Sequence, residues 1–215
     1  MFHVKHKFVK IRIEKTILKQ AREIFQVNEK MLEQYIDLLL EWNGKINLVS
    51  RNVSRETVRE HIIHSLLPIP LNFPDKHPEW IDAGTGGGLP GIPLAICRHD
   101  LKWILNDNIR KKMKAVDDII YRLELDNCRT LAKSISLVNL NPNTGIVTKH
   151  AFKIPDLLRL LGKSSWETIL IWKGTADAEK EIQHSGKQLN VTIYEFNFGE
   201  KEPFYEGKGL VLIER

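Results

Sequence analysis

A glycine-rich loop between two apolar segments constrains this chain more than any other feature. Residues 80–83 have the character of a buried strand, and residues 90–96 have that of an apolar helix. Between them, Gly84, Gly86 and Gly88 permit positive φ and let a ligand lie against bare backbone. The amide groups that begin the next helix would face that ligand. The pattern predicts a nucleotide-type cofactor site at the carboxyl end of a parallel sheet.

The acidic residue before the glycines, Asp82, favours S-adenosylmethionine over a dinucleotide as the cofactor. Dinucleotide-binding loops usually run from an apolar strand directly into Gly-x-Gly-x-x-Gly, whereas here Asp82 precedes glycines spaced Gly-x-Gly-x-Gly. A carboxylate at this point can accept hydrogen bonds from a cationic amino-acid group, which S-adenosylmethionine has and NAD lacks. Two alternatives remain: a plain tight turn, and an NAD-linked oxidoreductase, which the glycine spacing disfavours.

The positive charge of the chain is concentrated near its beginning. The formal net charge is +5 over 215 residues, and the first twenty residues hold six bases against one acid, Glu14. These bases are Lys5, Lys7, Lys10, Arg12, Lys15 and Lys19. A basic segment on a nearly neutral domain is typical of proteins with a polyanionic partner. A solvated terminal segment explains the same pattern without such a partner.

The rest of the composition disfavours several classes of protein. Cys97 and Cys128 lie in apolar segments and are expected to be buried free thiols. No Cys/His cluster has the spacing of a zinc site, and no apolar run approaches the length of a membrane span. The first residues lack the apolar core of a signal peptide. We therefore expect a cytoplasmic protein with no metal and no membrane partner.

The first 75 or so residues are predicted to be mainly helical. Apolar residues recur at helical spacing near 16–25, 29–42 and 54–67, after a short strand or extended arm at 8–13. Asn43-Gly44 is expected to end the second helix, and Ser54 is expected to cap the third.

From about residue 76 strands and helices alternate, which is typical of a doubly wound α/β domain. Strands are predicted near 79–83, 102–107, 128–132, 145–149, 167–172, 189–198 and 208–214. Helices are predicted near 90–98, 110–124, 153–162 and 175–186. The last two strands have no helix between them, so one antiparallel strand should join a mostly parallel, Rossmann-like sheet. We predict a basic helical extension in 1–75 and the cofactor-binding domain in 76–215.

A second acidic residue stands at the end of the second predicted strand of that domain. Asp107 lies 23 positions after Gly84, where a carboxylate can bind both hydroxyls of a ribose. Its alternative role is to cap the helix that follows. Four bases come next: Arg110, Lys111, Lys112 and Lys114. Part of this cluster can bind phosphate, although each side chain can equally face solvent.

These motifs resemble the RsmG (GidB) family, bacterial methyltransferases that modify N7 of a guanine in 16S ribosomal RNA. The resemblance covers most of the chain and is sharpest where Leu-Pro-Gly-Ile-Pro follows the glycine loop. It is carried by Trp42-Asn43-x-Lys45-x-Asn47-Leu48-x-Ser50, His61-x-x-x-Ser65-Leu66, Asp82-x-Gly84-x-Gly86-x-Gly88-Leu89-Pro90-Gly91-Ile92-Pro93-Leu94, Asp107 with Lys111, and Lys173-Gly174. It implies a class I methyltransferase sheet, S-adenosyl-L-methionine as cofactor, and 16S rRNA or the small ribosomal subunit as partner.

The resemblance also implies which residues hold the cofactor. Gly84 and Leu89 would line the site, and Asp107 would bind the ribose. The full set expected at the cofactor is Asp82, Gly84, Gly86, Leu89, Asp107, Ile135, Ser136 and His150. We expect a monomer.

Two segments depart from the family pattern. Ile135-Ser136 stands where Ala-Glu is usual near the adenine, and Lys149-His150-Ala151 stands where Ser-Arg-Ala is usual. Replacing the arginine by His150 removes a fixed charge and a bidentate donor, which Lys149 could restore in part. A second hypothesis is therefore a homologue that binds RNA without methylating it.

Basic residues in several segments are candidates for RNA contact. The set is Lys10, Arg12, Arg55, Arg59, Lys111 and Lys173. Arg55 and Arg59 are one helical turn apart, and pairing with glutamates of the same helix is the alternative to an RNA-facing stripe. Lys173 either binds phosphate or caps its strand. His61 and His64, on the third predicted helix, are more typical of structural histidines than of ligands.

The sequence shows no obvious Ser/His/Asp or Cys/His catalytic set. Methyl transfer to guanine N7 needs none, because N7 carries an in-plane lone pair and no proton. Catalysis would come from aligning N7, the methyl carbon and the sulfur, assisted by a site that favours the spreading positive charge. We therefore expect no single catalytic residue.

Overall fold

The computed structural model describes residues 8–162, 164–183, 185 and 189–215, which form an eight-stranded sheet with helices on both faces. The strands are β1 (Phe8–Glu14), β2 (Glu79–Ala83), β3 (Lys102–Asn106), β4 (Cys128–Leu131), β5 (Thr144–Lys149), β6 (Thr168–Gly174), β7 (Asn190–Asn197) and β8 (Lys208–Glu214). The helices are α1 (Lys15–Val27), α2 (Glu29–Asn43), α3 (Arg55–Leu66), α4 (Gly91–Cys97), α5 (Arg110–Arg122), α6 (Ile154–Leu161) and α7 (Thr175–Gln183). Lys5, Lys7 and residues 184 and 186 of the last predicted helix lie outside the described residues.

The strand order is β1-β7-β8-β6-β5-β2-β3-β4, and β8 is antiparallel to both of its neighbours while the other pairs are parallel. The predicted α/β sheet with one antiparallel strand is therefore confirmed. The segment at residues 8–13, for which a strand and an extended arm were both open, forms the edge strand β1 beside β7.

Alternating side chains of the strands pack into two separate cores, one on each face of the sheet. On β2, Trp80 contributes to the core under helices α1 to α5, and Ile81 contributes to the core under α6 and α7. The period of two along each strand separates these sets because successive side chains point to opposite faces. Both faces are covered, which explains why the central strands are apolar almost throughout.

The helices before β2 share one core with the helices of the sheet domain. Leu32 and Ile36 of α2 and Val58 and Ile62 of α3 belong to the same cluster as residues of α4 and α5. The predicted cap of α3 is confirmed, because Ser54 Oγ accepts a hydrogen bond from the Thr57 amide. The division at residue 75 into an extension and a domain stays a prediction.

The strand order places a switch point beside β2. From β2 the sheet continues through β3 and β4 on one side and through β5 and β6 on the other. Ligands of open α/β sheets bind in the crevice outside the carboxyl ends of the strands at such a point. The ends of β2, β3, β4 and β5 are therefore where a site is expected. In the part of the chain that the structure describes, no helix has both the length and the apolarity needed to cross a membrane.

Candidate active site

A cavity of about 570 Å³ lies at the carboxyl ends of β2, β3, β4 and β5. Its volume is in the range of small-molecule sites, roughly 300–1,000 Å³. Part of its lining comes from the loop before α3 and from the start of α3. The rest comes from the carboxyl side of the sheet: the glycine loop, the end of β3 with the start of α5, the loop after β4, and the segment Lys149–Phe152 with Leu160 of α6. The lining therefore comes from both the early helices and the sheet.

Two glycines of the loop have different surroundings: Gly84 is closely packed, and Gly86 faces the cavity. At Gly84, with φ of +73°, an added Cβ would lie 2.5 Å from Ala151 Cβ and 3.0 Å from the ring of Phe152. The loop is thus packed directly against the end of β5. At Gly86, with φ of +59°, an added Cβ would meet nothing closer than the Leu48 carbonyl oxygen at 3.5 Å. The bare backbone of Gly86 lines open cavity, as a cofactor lying on the loop requires.

Asp82 lies beneath the glycine loop instead of on the cavity wall. It is completely buried, and its Oδ2 accepts hydrogen bonds from Thr85 Oγ1 at 2.6 Å and from the Gly91 amide at 2.9 Å. Burial raises the pKa of Asp82 to about 7, and these two hydrogen bonds oppose the rise. In this structure the carboxylate does not line the cavity and joins the two ends of the loop. Its predicted contact with a cationic cofactor group stays a prediction.

Helix α2 and the loop after it support the cavity from the other side. Tyr35 Oη donates a hydrogen bond of 3.0 Å to the Gly87 carbonyl oxygen. Asn43 Oδ1 accepts hydrogen bonds of 2.9 Å from the amides of Leu48 and Val49, both of which line the cavity. The Trp-Asn-x-Lys-x-Asn-Leu motif is the sequence signal for this side of the cavity, but the predicted site residues include none of its members.

Asp107 accepts hydrogen bonds on both of its carboxylate oxygens, and its proposed contact with a ribose stays a prediction. Its Oδ1 accepts a hydrogen bond of 2.9 Å from the Ile109 amide just before α5, and its Oδ2 accepts one of 3.3 Å from the Gly86 amide. The side chain lines the cavity and is 9% exposed. One carboxylate therefore links the glycine loop to the end of β3 and presents oxygen atoms to a ligand.

The loop after β4 brings one of its two predicted residues to the cavity. Ile135 is buried and lines it, whereas Ser136 is exposed, does not line it, and pairs with Ser134 Oγ at 2.8 Å. Ser136 lies in a short helical turn at residues 135–137, and its expected contact with the cofactor stays a prediction. Asn106 stabilises this loop by donating from Nδ2 to the carbonyl oxygens of Leu131 and Lys133.

Lys149 and His150 follow each other at the end of β5, and both line the cavity. Lys149 is 8% exposed, and its Nζ donates to the His61 carbonyl oxygen at 2.6 Å and to Ser65 Oγ at 3.0 Å. Burial lowers the pKa of Lys149 to about 7, against the attraction of Asp82. His150 adopts φ of +56° at the end of the strand and has an exposed side chain.

His64 lies behind this segment and has no polar partner. It is completely buried, and neither ring nitrogen has a hydrogen-bond partner in the described residues. The rings of Phe196, Phe204 and Tyr205 meet it edge to face. Desolvation lowers the pKa of His64 well below 6.5, with a further lowering from Lys149. The interpretation of His64 as a structural histidine fits this packing.

Two of the RNA-contact candidates lie in an ion-pair network between helices. Arg55 binds Glu33 and Asp37 of α2, and Arg59 also binds Glu33. Arg55 and Arg59 therefore form ion pairs instead of an RNA-facing stripe. Their partners are carboxylates of α2, and not the glutamates of α3 that the sequence indicated. Lys173 ends β6 with an ion pair of 2.9 Å to Glu181 and a hydrogen bond to the Phe152 carbonyl oxygen.

The other candidates are exposed but not adjacent. Lys10 and Arg12 project from β1, and Lys10 binds Glu179. Lys111 is exposed in the first turn of α5 beside Lys112, which lines the cavity. Strands β7, β8 and β6 separate β1 from β5, so the structure does not bring the predicted RNA-contact residues into one surface.

The described residues contain no group of three or more His, Cys, Asp or Glu side chains placed to hold a metal ion. Cys97 and Cys128 are partly buried free thiols, and burial raises the pKa of each to about 12. At neutral pH they are unreactive thiols, because the thiolate is the nucleophile.

Comparisons with known proteins show which sequences the chain is similar to. A protein-family model described as rRNA small subunit methyltransferase G matches residues 28–200. A protein named ribosomal RNA small subunit methyltransferase G from Christiangramia forsetii is 33% identical over 193 residues, which cover 86% of this chain and 87% of that one. Its namesake from Chlorobium limicola is 31% identical over 206 residues, covering 92% and 93%.

Solved structures show the same fold at low sequence identity. An O-methyltransferase from Bacillus cereus, solved in complex with SAH, aligns with a TM-score of 0.53 and 17% identity. The alignment covers 84% of this chain and 90% of that one.

Proposed function

Because the chain belongs to the rRNA small subunit methyltransferase G family, we propose that it transfers a methyl group from S-adenosyl-L-methionine to N7 of a guanine in 16S ribosomal RNA. One observation carries the proposal beyond family membership. The glycine loop and the carboxylate of Asp107 line the same cavity, joined by the hydrogen bond from the Gly86 amide. That pairing suits a ligand with a ribose and an extended amino-acid tail.

The residues present fit this cofactor. Asp107 offers acceptors for ribose hydroxyls, and Ile109 and Ile135 offer apolar surface for the adenine. The open face of Gly86 accommodates the tail against bare backbone. Leu89 and His150 complete the proposed set on the cavity wall. Asp82 supports the site from below by holding the loop in shape.

For methyl transfer to N7, the main task of the protein is to position the guanine and the methyl donor. When bound, S-adenosylmethionine supplies a methyl group on a positively charged sulfur. The N7 lone pair is available without removal of a proton, so no general base is needed. The cavity walls hold the acceptor in line and exclude water, which is where most of the acceleration would arise. We propose no single catalytic residue.

RNA contact is proposed at the exposed basic residues around the fold. Lys111 lies in a basic turn beside the cavity, so it is the most direct candidate for a phosphate near the target nucleotide. Lys10 and Arg12 on β1 would contact more distant RNA. Arg55, Arg59 and Lys173 would have to exchange their present carboxylate partners for phosphate. We further propose that the protein acts as a cytoplasmic monomer.

A second candidate function is that of an RNA-binding homologue without transferase activity. The observation that favours it is the exposed His150 at the cavity, where the family pattern has arginine. The discriminating experiment is calorimetric titration of the purified protein with S-adenosylmethionine, followed by methyl transfer to unmodified small ribosomal subunits. Binding with transfer supports the enzyme. If the protein binds the cofactor but transfers no methyl group, the RNA-binding homologue is supported. If it binds NADH tightly and does not bind S-adenosylmethionine, both candidate functions are contradicted.

A further inference from the structure

Lys149 is a buried amine whose position is fixed by a neighbouring helix. Its Nζ donates to the His61 carbonyl oxygen and to Ser65 Oγ, both on α3. That helix is held in turn by the indole of Trp172, which donates to the His64 carbonyl oxygen at 2.8 Å. The ammonium group has three N–H donors, and two of them are thus used within the protein. Lys149 also lines the cavity. One donor position of Lys149 remains for a ligand.

This donor lies at the end of the cavity formed by β2 and β5. The glycine loop packs against the chain two and three positions after Lys149, because an added Cβ at Gly84 would collide with Ala151 and Phe152. The other lysines of the lining, Lys112 and Lys133, belong to α5 and the loop after β4, on the side of Asp107. Lys173, the nearby lysine of β6, is paired with Glu181.

The acceptor base would present a defined pair of atoms to this end of the cavity. A guanine that offers N7 to a methyl donor exposes its O6 on the same edge. Adenine carries an amino donor at that place instead of an acceptor. A fixed N–H donor beside the glycine loop therefore fits guanine and leaves adenine with two donors facing each other.

We propose that Lys149 is a specificity-determining residue that donates a hydrogen bond to O6 of the target guanine. The inference rests on the proposed function, and it concerns a residue of this chain that stands outside the usual family pattern. Lys149 neither removes a proton nor takes part in the transfer itself. Its role is to select the base and hold N7 in register.

The electrostatic surroundings of Lys149 determine how readily its amine keeps the third proton. Asp82 on β2 attracts the amine, while Lys208 on β8 repels it. Its other titratable neighbours are His61 and His64 on α3 and His150, which directly follows β5. The contact with O6 requires the ammonium form, because a neutral amine keeps only two N–H groups and the His61 carbonyl oxygen and Ser65 Oγ already accept two. Burial lowers the pKa of Lys149 to about 7, so transfer by the wild-type protein should fall as the pH increases through 7.

The test compares base analogues with variants of this lysine. The target guanine is first located by mapping the methyl group that the wild-type protein transfers. Small subunits are then reconstituted with 16S rRNA carrying guanine, hypoxanthine or 2-aminopurine at that position; hypoxanthine keeps O6 and 2-aminopurine lacks it. The protein variants are Lys149→Met, which removes the donor, and Lys149→Gln, which keeps an uncharged one. The matched control is Lys102→Met, at an exposed lysine at the opposite end of the sheet.

Lys149→Met should lower kcat/KM about tenfold to a hundredfold on guanine and hypoxanthine and leave 2-aminopurine at the wild-type rate. Lys149→Gln should retain part of the discrimination, and Lys102→Met all of it. An equal loss on all three bases would overturn the proposal. So would a matching loss of affinity for S-adenosylhomocysteine by calorimetry, since Lys149 would then hold the cofactor. Failure of the wild-type protein to methylate guanine would instead overturn the proposed function.

Discussion

Asp82 and Gly91 are joined by a hydrogen bond of 2.9 Å from the Gly91 amide to Asp82 Oδ2. The same oxygen accepts from Thr85, so one buried carboxylate oxygen ties the end of β2 to both the start of the glycine loop and the first turn of α4. An added Cβ at Gly91 would lie 2.8 Å from that oxygen, which explains a glycine at this position. The shape of the cofactor loop thus depends on a residue that does not line the cavity.

Asp82→Ala should destabilise the protein by about 2–3 kcal/mol, because two buried donors lose their acceptor. Asp82→Asn keeps an acceptor oxygen and should cost less, with cofactor affinity within about tenfold of wild type. Chemical denaturation and calorimetry measure the two effects separately. If Asp82→Asn kept full stability but lost far more cofactor affinity than this, the carboxylate would be a direct ligand of the cofactor.

Gly86→Ala should reduce cofactor affinity with a small loss of stability, about 1–2 kcal/mol for the left-handed backbone. The new methyl group would occupy open cavity. Gly84→Val should impair both properties, because its side chain would collide with Ala151 and Phe152 as well as strain the backbone. Comparison of denaturation midpoints with calorimetric affinities distinguishes the two sites. Unchanged affinity in a folded Gly86→Ala protein would remove the loop from the binding site.

Asp107→Asn should lower the affinity for S-adenosylmethionine about tenfold to a hundredfold, since the amide offers one acceptor where the carboxylate offers two. The fold should be retained, because the amide oxygen can still accept from the Ile109 amide. Calorimetry with the cofactor and with methionine alone is the appropriate measurement, since methionine lacks the ribose. A fall in stability without a fall in affinity would show that Asp107 only stabilises the loop between β3 and α5.

His64 should make the protein sensitive to acid. Its pKa is well below 6.5 in the folded state and near 6.5 in the unfolded chain, so unfolding below pH 6.5 takes up a proton. This contribution to stability is complete above pH 6.5 and is lost as the pH falls. His64→Leu should flatten the pH dependence of the free energy of unfolding by about 1.4 kcal/mol per pH unit below 6.5. The control is His99→Leu, at an exposed histidine; equal slopes in wild type and His64→Leu would contradict the assignment.

Much of the fold could be predicted because local signals agree with each other. Seven predicted strands after residue 78 match β2 to β8, and Ser54 caps α3 as its position indicated. The two-residue period and the glycine loop are short-range patterns that a sequence displays directly. The orientation of Asp82 is not such a pattern: a carboxylate before a glycine loop can point into the cavity or beneath it, and packing under α4 decides.

Lys149 illustrates the part of the site that the sequence could not reveal. Its neighbours His61 and Ser65 precede it by 88 and 84 positions, and only the docking of α3 on the sheet brings them together. The contact of Tyr35 with Gly87 depends on long-range packing in the same way. Local periodicity predicts which faces are buried, but it carries no information about which polar atoms meet there.

Locating the transferred methyl group would show whether this protein is a guanine-N7 methyltransferase. Unmodified small ribosomal subunits and naked 16S rRNA are incubated with labelled S-adenosylmethionine and the protein, and the labelled RNA is cleaved chemically at N7-methylguanine. We expect label on the N7 position of a single guanine. Label on another base, or none from folded protein while a relative of the same family is active in parallel, would contradict it.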